Sequence, residues 1–260
     1  MNDWERLTPA RIVCAGDWHG NSFWADRAIR YAAEQGARAI LHVGDLGYKF
    51  APNFLARVQR ALEDTGLLMG FVPGNHDSYD YLDPREHEHG CTAIALRPNI
   101  FYLPRTYRWS WSGVTFLALG GAHSVDRLWR ARGEWWERET ITLFEAAKAA
   151  NGGPADVMLC HDVPDGVHIP CIDGNPHGFP DSEIAAAQQH RELLRRVVDV
   201  VAPGSLFAGH YHCRLDTTLD DPAHGYRTDV HVLDMDGGQL TENLMVVDLA
   251  DLPVARGRRL

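Results

Sequence analysis

The sequence predicts a single α/β domain built around a largely parallel sheet, and three observations point there. The chain has 260 residues, 45% of them hydrophobic and 23% charged. That is ordinary globular composition at a length that suits one large domain over residues 1–260. Short buried-strand runs alternate with stretches of helical spacing. Several of those runs end at a glycine next to an aspartate or a histidine.

The elements follow in order. Residues 11–16 (RIVCAG) and 38–44 (RAILHVG) are two such runs, ending at Asp17 and Asp45. Between them residues 22–35 have helical spacing, with Phe23, Ala28, Ile29 and Ala32 able to share a face and Gly36 placed to end the helix. Strand, helix and strand favour a right-handed crossover and a parallel pair. Residues 52–64 fit a second helix, and 67–72 a third strand running into Pro73-Gly74-Asn75-His76. Residues 99–103, 107–110 and 114–119 read as strands of a more antiparallel region, turning at Ser112-Gly113. A helix is expected over 137–150, a strand over 156–160 delivering His161, a helix over 181–200 and a strand over 206–208 ending at Gly209-His210. The tail, 227–235 and 240–249, alternates like a hairpin around Asp236-Gly237-Gly238. Residues 163–180, rich in Pro, Gly and Asp, read as an irregular loop, and loops of that length are usually functional or disordered.

Composition narrows the function. With 35 acidic against 25 basic residues the formal charge is −10, which disfavours a protein that coats long nucleic acids by neutralising many phosphates. It leaves a pocket for one small anion open. Spanning a bilayer needs roughly 18 uncharged apolar residues, and no stretch approaches that. The opening MNDWERLTPAR lacks the apolar core of a secretory signal. Five scattered cysteines (Cys14, Cys91, Cys160, Cys171, Cys213) with no C-x-x-C pair argue against a disulfide framework and a structural zinc site. The expectation is a reducing, cytoplasmic setting, with no membrane partner.

Ligands of layered α/β sheets bind beyond the carboxyl ends of the strands. Five short signatures fall there in order: Gly16-Asp17-Trp18-His19-Gly20, Gly44-Asp45, Gly74-Asn75-His76-Asp77, His161, and Gly209-His210-Tyr211-His212. Each alone is weak, since Gly-Asp is common in turns. Together, oxygen and imidazole donors suit borderline first-row cations. In extended segments Asp17 and His19, like His210 and His212, would face the same way about 6–7 Å apart, a separation suited to two ions roughly 3.5–4 Å apart. The flanking glycines would let the backbone turn without filling the metal cavity.

The ordered set D-x-H, GD, GNHD, H and GHxH resembles the calcineurin-like metallophosphoesterase superfamily. The resemblance implies a four-layer α/β/β/α sandwich of two facing mixed sheets flanked by helices. It implies two divalent transition-metal ions per chain, with Mn²⁺ favoured among Mn²⁺, Fe, Co²⁺, Ni²⁺ and Zn²⁺. One is held by Asp17, His19, Asp45 and His212, the other by Asp45, Asn75, His161 and His210, so that Asp45 bridges. His76 matches the catalytic histidine, which touches substrate. A hydroxide shared by the cations would attack phosphorus in line while His76 stabilises charge or protonates the departing alkoxide. Asp77, also assigned to the catalytic set, would orient His76 or cap local backbone.

Other histidines are given structural readings: His87 and His89 in a charged, solvated loop, His42 in the core, and His168, His177 and His190 without chemistry. His123, in Gly120-Gly121-Ala122-His123-Ser124, could approach substrate, although a plain loop position is the simpler reading. Residues 126–139 mix Arg127, Arg130 and Arg132 with Trp129, Trp135 and Trp136. The alternatives are a substrate lip, with Arg127 as a phosphate clamp, and an amphipathic turn packed on the core. This stretch resembles a subset of bacterial and phage metallophosphoesterases.

Protein serine/threonine phosphatases of the superfamily continue the second motif with an arginine that grips the phosphomonoester. Here Asp45 is followed by Leu46-Gly47-Tyr48-Lys49-Phe50. The histidine of GNHD fits diester cleavage. The expected substrate is therefore a small phosphate ester, a nucleotide phosphodiester with cyclic ones among the candidates, with some monoesterase activity. A nuclease on DNA or RNA ends, a protein phosphatase, and a non-enzymatic scaffold of the same fold are the alternatives. Oligomeric state is not legible.

Overall fold

The computed structural model describes residues 3–131, 133–253 and 255. After a short helix α1 (Asp3–Arg6), β1 (Arg11–Ala15), α2 (Ser22–Glu34), β2 (Ala39–His42), α3 (Pro52–Thr65) and β3 (Leu68–Phe71) follow as two crossovers. Then come α4 (Tyr79–His89), β4 (Ile94–Arg97), β5 (Ile100–Tyr102), β6 (Arg108–Trp111) and β7 (Val114–Leu119). The second half holds α5 (Leu143–Asn151), β8 (Val157–Cys160), α6 (Asp181–Val201), β9 (Ser205–Ala208), β10 (Leu215–Asp221), β11 (Tyr226–Val232), α7 (Leu240–Asn243) and β12 (Leu244–Asp248).

Two six-stranded sheets form, ordered β12-β1-β2-β3-β5-β4 and β10-β11-β9-β8-β7-β6. In each, four parallel strands are flanked by one antiparallel edge strand on either side. Three apolar layers result. Trp24, Ile29, Leu55 and Leu62 of α2 and α3 pack on the first sheet. Leu194, Val197 and Val198 of α6, with Ala146 and Ala149 of α5, pack on the second. Between the sheets lie Ile12, Leu41, Phe101, Trp109, Trp111, Phe116 and Phe207, with Trp4 inserted at one end. Strands covered on both faces explain the near-continuous apolar runs in the sequence. The layering is the α/β/β/α sandwich that the motifs implied.

Four local expectations are corrected. The tail is not a hairpin: β11 pairs with β10 and β9 in one sheet, whereas β12 pairs with β1 in the other. The helix expected from residue 137 begins at Leu143. Thr142 and Glu145 form a capping box there, while Glu139 is turned back onto Ser124. Such a box fixes a helix start by satisfying backbone donors reciprocally. Third, Cys171 and Cys213 form a disulfide, although their spacing gave no sign of it. Cys14 and Cys160 are buried thiols, as expected. His87 and His89 lie on α4 rather than in a loop. No helix among the described residues is long and apolar enough to cross a membrane.

Candidate metal centre

The carboxyl ends of β1, β2, β3, β8 and β9 converge on one cavity, and each delivers a signature. Asp17 and Asp45 are fully buried side by side. His161 Nε2 lies 3.4 Å from Asp45 Oδ2 and 3.0 Å from Asn75 Oδ1, and its Nδ1 is held 2.8 Å from the carbonyl of Val43. His212 Nε2 stands 3.4 Å from Asp17 Oδ2, and His19 Nε2 3.7 Å from Asp45 Oδ2. The ring of His210 lies 5.1 Å from that of His161, centroid to centroid. All seven residues expected as ligands are brought together. Two donor sets, Asp17/His19/His212 and Asp17/Asp45/His161, each have their ligand atoms within 4.8 Å of one another.

The way they converge differs from the extended alternation expected. His19, Asp45, His210 and His212 have φ of 46°, 54°, 70° and 52°. These are left-handed turns, in which a non-glycine residue costs on the order of 1–3 kcal/mol unless its surroundings hold it. Hydrogen bonds hold three of them: the amides of Trp18 and His19 both donate to the carbonyl of Asp45, at 3.1 and 2.9 Å, and the amide of His210 donates to the Asp17 carboxylate at 3.1 Å. Trp18 is thereby sent into the core, its indole donating to Asn243 Oδ1. The glycines expected to keep the cavity clear do so. A Cβ at Gly74 would collide with the Asp45 carboxylate, and one at Gly209 with that of Asp17.

A test of fit is whether any buried polar atom lacks the partner that a cation would provide. Asp45 Oδ1 accepts from the amide of His76 at 2.8 Å. Asp45 Oδ2 is buried with no hydrogen-bond partner, and the Nε2 atoms of His161, His19 and His76 surround it at 3.4, 3.7 and 3.9 Å. A buried carboxylate oxygen left unpaired is costly, and a bridging ligand between two cations is the chemistry that satisfies it. The residues fit a binuclear centre.

Electrostatics agree. Burial is the largest influence and opposes charge on Asp17 and Asp45, but the surrounding histidines together, His161 foremost, outweigh it and both carboxyls stay below their usual range. Burial likewise opposes charge on His161 and His19, yet the two aspartates lift His161 to about 10 and Asp45 lifts His19 to about 9. Without metal both rings carry a proton at neutral pH. Cation binding needs neutral imidazole, so it must expel those protons. Titrating Mn²⁺ into chelator-treated protein, in buffers of different ionisation enthalpy, should show close to two protons released per chain, with affinity rising as pH rises. Heats independent of buffer would contradict this account.

Around the ligands sits a set of orienting groups that the sequence did not single out. Asp236 holds His19 Nδ1 at 3.0 Å and accepts from Asn21 at 2.7 Å. Asp162 is buried against His190 Nδ1 at 2.9 Å and the Tyr211 hydroxyl at 2.5 Å. Asn75 Nδ2 donates to Ser124 Oγ at 3.0 Å, whose own hydroxyl donates to Glu139 at 2.9 Å. Because the serine proton is committed to Glu139, only its lone pair faces Asn75, which leaves Asn75 Oδ1 turned to the centre. Ser124→Ala should weaken metal binding at the Asn75 position by about 10–100-fold, the usual cost of losing an orienting partner. Ser124→Thr should restore it, and a metal titration that finds alanine and wild type alike would remove the role. Their signal in sequence was faint, each being one polar residue in a turn or loop.

The other expected site residues are placed as follows. His76 lies beside the centre with Arg130 against its ring, Nη1 2.6 Å from Nδ1 and Nη2 2.6 Å from Nε2. Burial, aided by Arg130 and resisted by Asp45, holds the His76 imidazole below its ordinary pKa. The Asp77 carboxylate accepts from the amides of Gly47 and Gly74 at 3.0 Å each, and from Leu46 at 3.4 Å, the backbone-capping member of the two alternatives. His123 and Arg127 both bond Glu183 at the start of α6, at 2.8 and 2.6 Å. His42 is buried in the core, with its Nδ1 accepting from the Gly44 amide at 3.3 Å. Arg132 lies outside the described residues.

Comparison with solved structures gives two similar folds of nearly the same extent. One is TT1561 of Thermus thermophilus, at 18% identity and a TM-score of 0.54, covering 94% of this chain and 96% of that one. The other is a dimetal phosphatase from Danio rerio, at 14% identity and a TM-score of 0.51, covering 90% and 89%. No curated protein matches significantly. The sequence model of the calcineurin-like phosphoesterases matches residues 10–214, the span that carries all seven residues expected as ligands. The chain belongs to the calcineurin-like phosphoesterase family and is a metal-dependent phosphoester hydrolase, with candidate donor groups clustered around a buried Asp45 oxygen that has no hydrogen-bond partner.

Proposed function

We propose that this hydrolase is a phosphodiesterase for small diesters, nucleotide diesters among them and cyclic ones included, with lesser activity on monoesters. The observation that carries the reading is the position of His76. Its Nε2 is 3.9 Å from Asp45 Oδ2, and its ring also lines the mouth of the cavity leading away from the centre. A diester must seat a second ester arm that a monoester lacks, for which this cavity gives room, and like any alkyl ester its departing arm leaves as an alkoxide that needs a proton. A histidine between the phosphate position and the space for the arm is placed to give it.

Two divalent cations on Asp17, His19, Asp45 and His212 and on Asp45, Asn75, His161 and His210 would supply Lewis acidity, making water a nucleophile near neutral pH and neutralising phosphoryl charge. Asn75 adds a donor without adding charge. Arg130, and not Arg127, is the guanidinium beside the reacting position. Before substrate binds, its charge and burial disfavour a proton on His76; an anionic phosphate beside the pair would offset that charge and let His76 take up the proton it donates. Asp77 fixes the loops carrying Asp45 and Asn75. His123 and Arg127 act through Glu183, fastening the segment that bears Arg130 to α6.

A net charge of −10 weighs against a nuclease that tracks a strand. Tyr48, on the ring of His76 at 5.2 Å, stands in the segment where a protein phosphatase carries its arginine. The test is a profile of Mn²⁺, Ni²⁺, Zn²⁺ and Mg²⁺ against bis-p-nitrophenyl phosphate, p-nitrophenyl phosphate, 2′,3′- and 3′,5′-cyclic nucleotides and single-stranded DNA. Diesters should be turned over fastest and DNA slowest, Mn²⁺ should be the best cofactor, and chelation should abolish all activity. Turnover of the monoester alone would reject the phosphodiesterase reading.

A further inference from the structure

A cavity of about 780 Å³ opens directly from His76, His210 and His212. That lies within the range of about 300–1,000 Å³ typical of sites for small organic ligands. One wall is a face of α6, on which Ile184 and Ala187 share the helical spacing of Gln188 and Arg191. The opposite wall is the long loop 163–180, contributing Val167, Ile169, Ile172 and Phe179. The disulfide between Cys171 and Cys213 ties that loop to the segment just after His212.

Two features of these walls decide what they suit. The first is unpartnered apolar surface: Ile172 and Ile184 are each 39% exposed, and both face the cavity. Phe179 stacks at 5.2 Å on Trp129, itself 60% exposed, so the apolar surface continues over the rim. Contiguous exposed apolar surface beside a reactive centre marks a binding site more often than chance. The second is that most polar groups of the walls are already bonded to the protein, while His177 lies against the ring of Phe179. Asn175 is spent on the backbone of Phe179 at 2.8 and 2.9 Å, and His168 on Asp173 at 2.9 Å. Gln188 is spent on Asp165 at 2.9 Å, and Arg191 on the carbonyls of Val163 and Val167. A base edge or a second phosphate would have to break those bonds, whereas an apolar group gains by leaving water.

We propose that this cavity seats an apolar arm of the phosphoester, alkyl or aromatic, and reads no hydrogen-bonding edge on it. The assignment rests on the phosphodiesterase reading only in placing the arm's phosphate at the metals. Nucleotides are then accepted without regard to base, and diesters with a more hydrophobic arm are preferred.

The test is calorimetric binding of methyl-, butyl-, octyl- and phenylphosphonate to the Mn²⁺-loaded protein. Affinity should rise by up to about four-fold per methylene from methyl to butyl, equivalent to about 0.8 kcal/mol for each buried CH₂. A continued gain to octyl identifies an alkyl arm, whereas tight phenyl binding with no gain beyond butyl identifies an aromatic one. The double substitution Ile172→Ser with Ile184→Ser should cost butyl- and phenylphosphonate about ten-fold or more while methylphosphonate is unaffected. Phe144→Ser, which removes an exposed ring outside the cavity, should change none of them. AMP and GMP, similar in ring area and different in hydrogen-bonding edge, should bind alike. Equal affinity from methyl to octyl and phenyl, or a base preference of about ten-fold, the size of one discriminating hydrogen bond, overturns the assignment. Because binding is read without turnover, failure to hydrolyse diesters counts against the phosphodiesterase reading alone.

Discussion

Replacing Asp45 with asparagine is expected to leave a folded protein that no longer holds two metals and has lost nearly all hydrolysis. The two oxygens of Asp45 do different work. Oδ1 accepts the amide of His76, and an asparagine oxygen can keep that bond. The amide NH₂ must then occupy the position of Oδ2, directed at three imidazole nitrogens 3.4–3.9 Å away, where the shared cation ligand belongs. A donor replaces an acceptor and a charge is lost at the one place where both sites need it. Metal affinity should fall by more than the roughly 10–100-fold that follows from altering an orienting partner. Metal analysis after dialysis, alongside circular dichroism to verify folding, tests this. Two ions at full occupancy in the variant would refute the bridging role.

How much of this was legible in the sequence depends on where chemistry coincides with pattern. The expected ligands were readable because each follows an apolar strand of recognisable length, and a parallel sheet buried on both faces leaves its strand ends as the common meeting place. The geometry of the meeting was not: spacing suggested extended segments, but the left-handed turns at His19 and Asp45 are tied together by hydrogen bonds between distant segments, from the amides of Trp18 and His19 to the Asp45 carbonyl. The same holds for the tail. Two alternating segments around Asp-Gly-Gly are locally ideal for a hairpin, yet β12 completes the edge of the first sheet because β1 otherwise leaves a row of unpaired donors there. The α4 helix was missed because its sequence is polar, carries Pro84 and buries only Tyr79 and Leu82. The partner of His123 and Arg127 was invisible for a simpler reason: Glu183 stands 60 and 56 residues away from them. Arg130, three positions beyond Arg127 in a turn, is the arginine that reaches His76.

His76→Ala should lower diester hydrolysis by about 10²–10⁴-fold, the contribution of a placed general acid, while both metals remain bound. The metals remain because no ligand is removed, and the backbone amide that Asp45 accepts from residue 76 survives the substitution. The size of the loss should depend on the departing arm. A p-nitrophenolate leaves readily without a proton, so bis-p-nitrophenyl phosphate should suffer at the low end of that range. A ribose alkoxide needs protonation, so 2′,3′-cyclic AMP should suffer at the high end. A role confined to gripping the phosphate would penalise both substrates alike, because the phosphate is common to them. Arg130→Ala separates the two functions further: it removes the charge lying on His76 without removing the acid, and should raise KM for both diesters by similar factors. Equal losses for the two substrates in His76→Ala would strip this histidine of proton transfer and leave the proposed diesterase without its general acid.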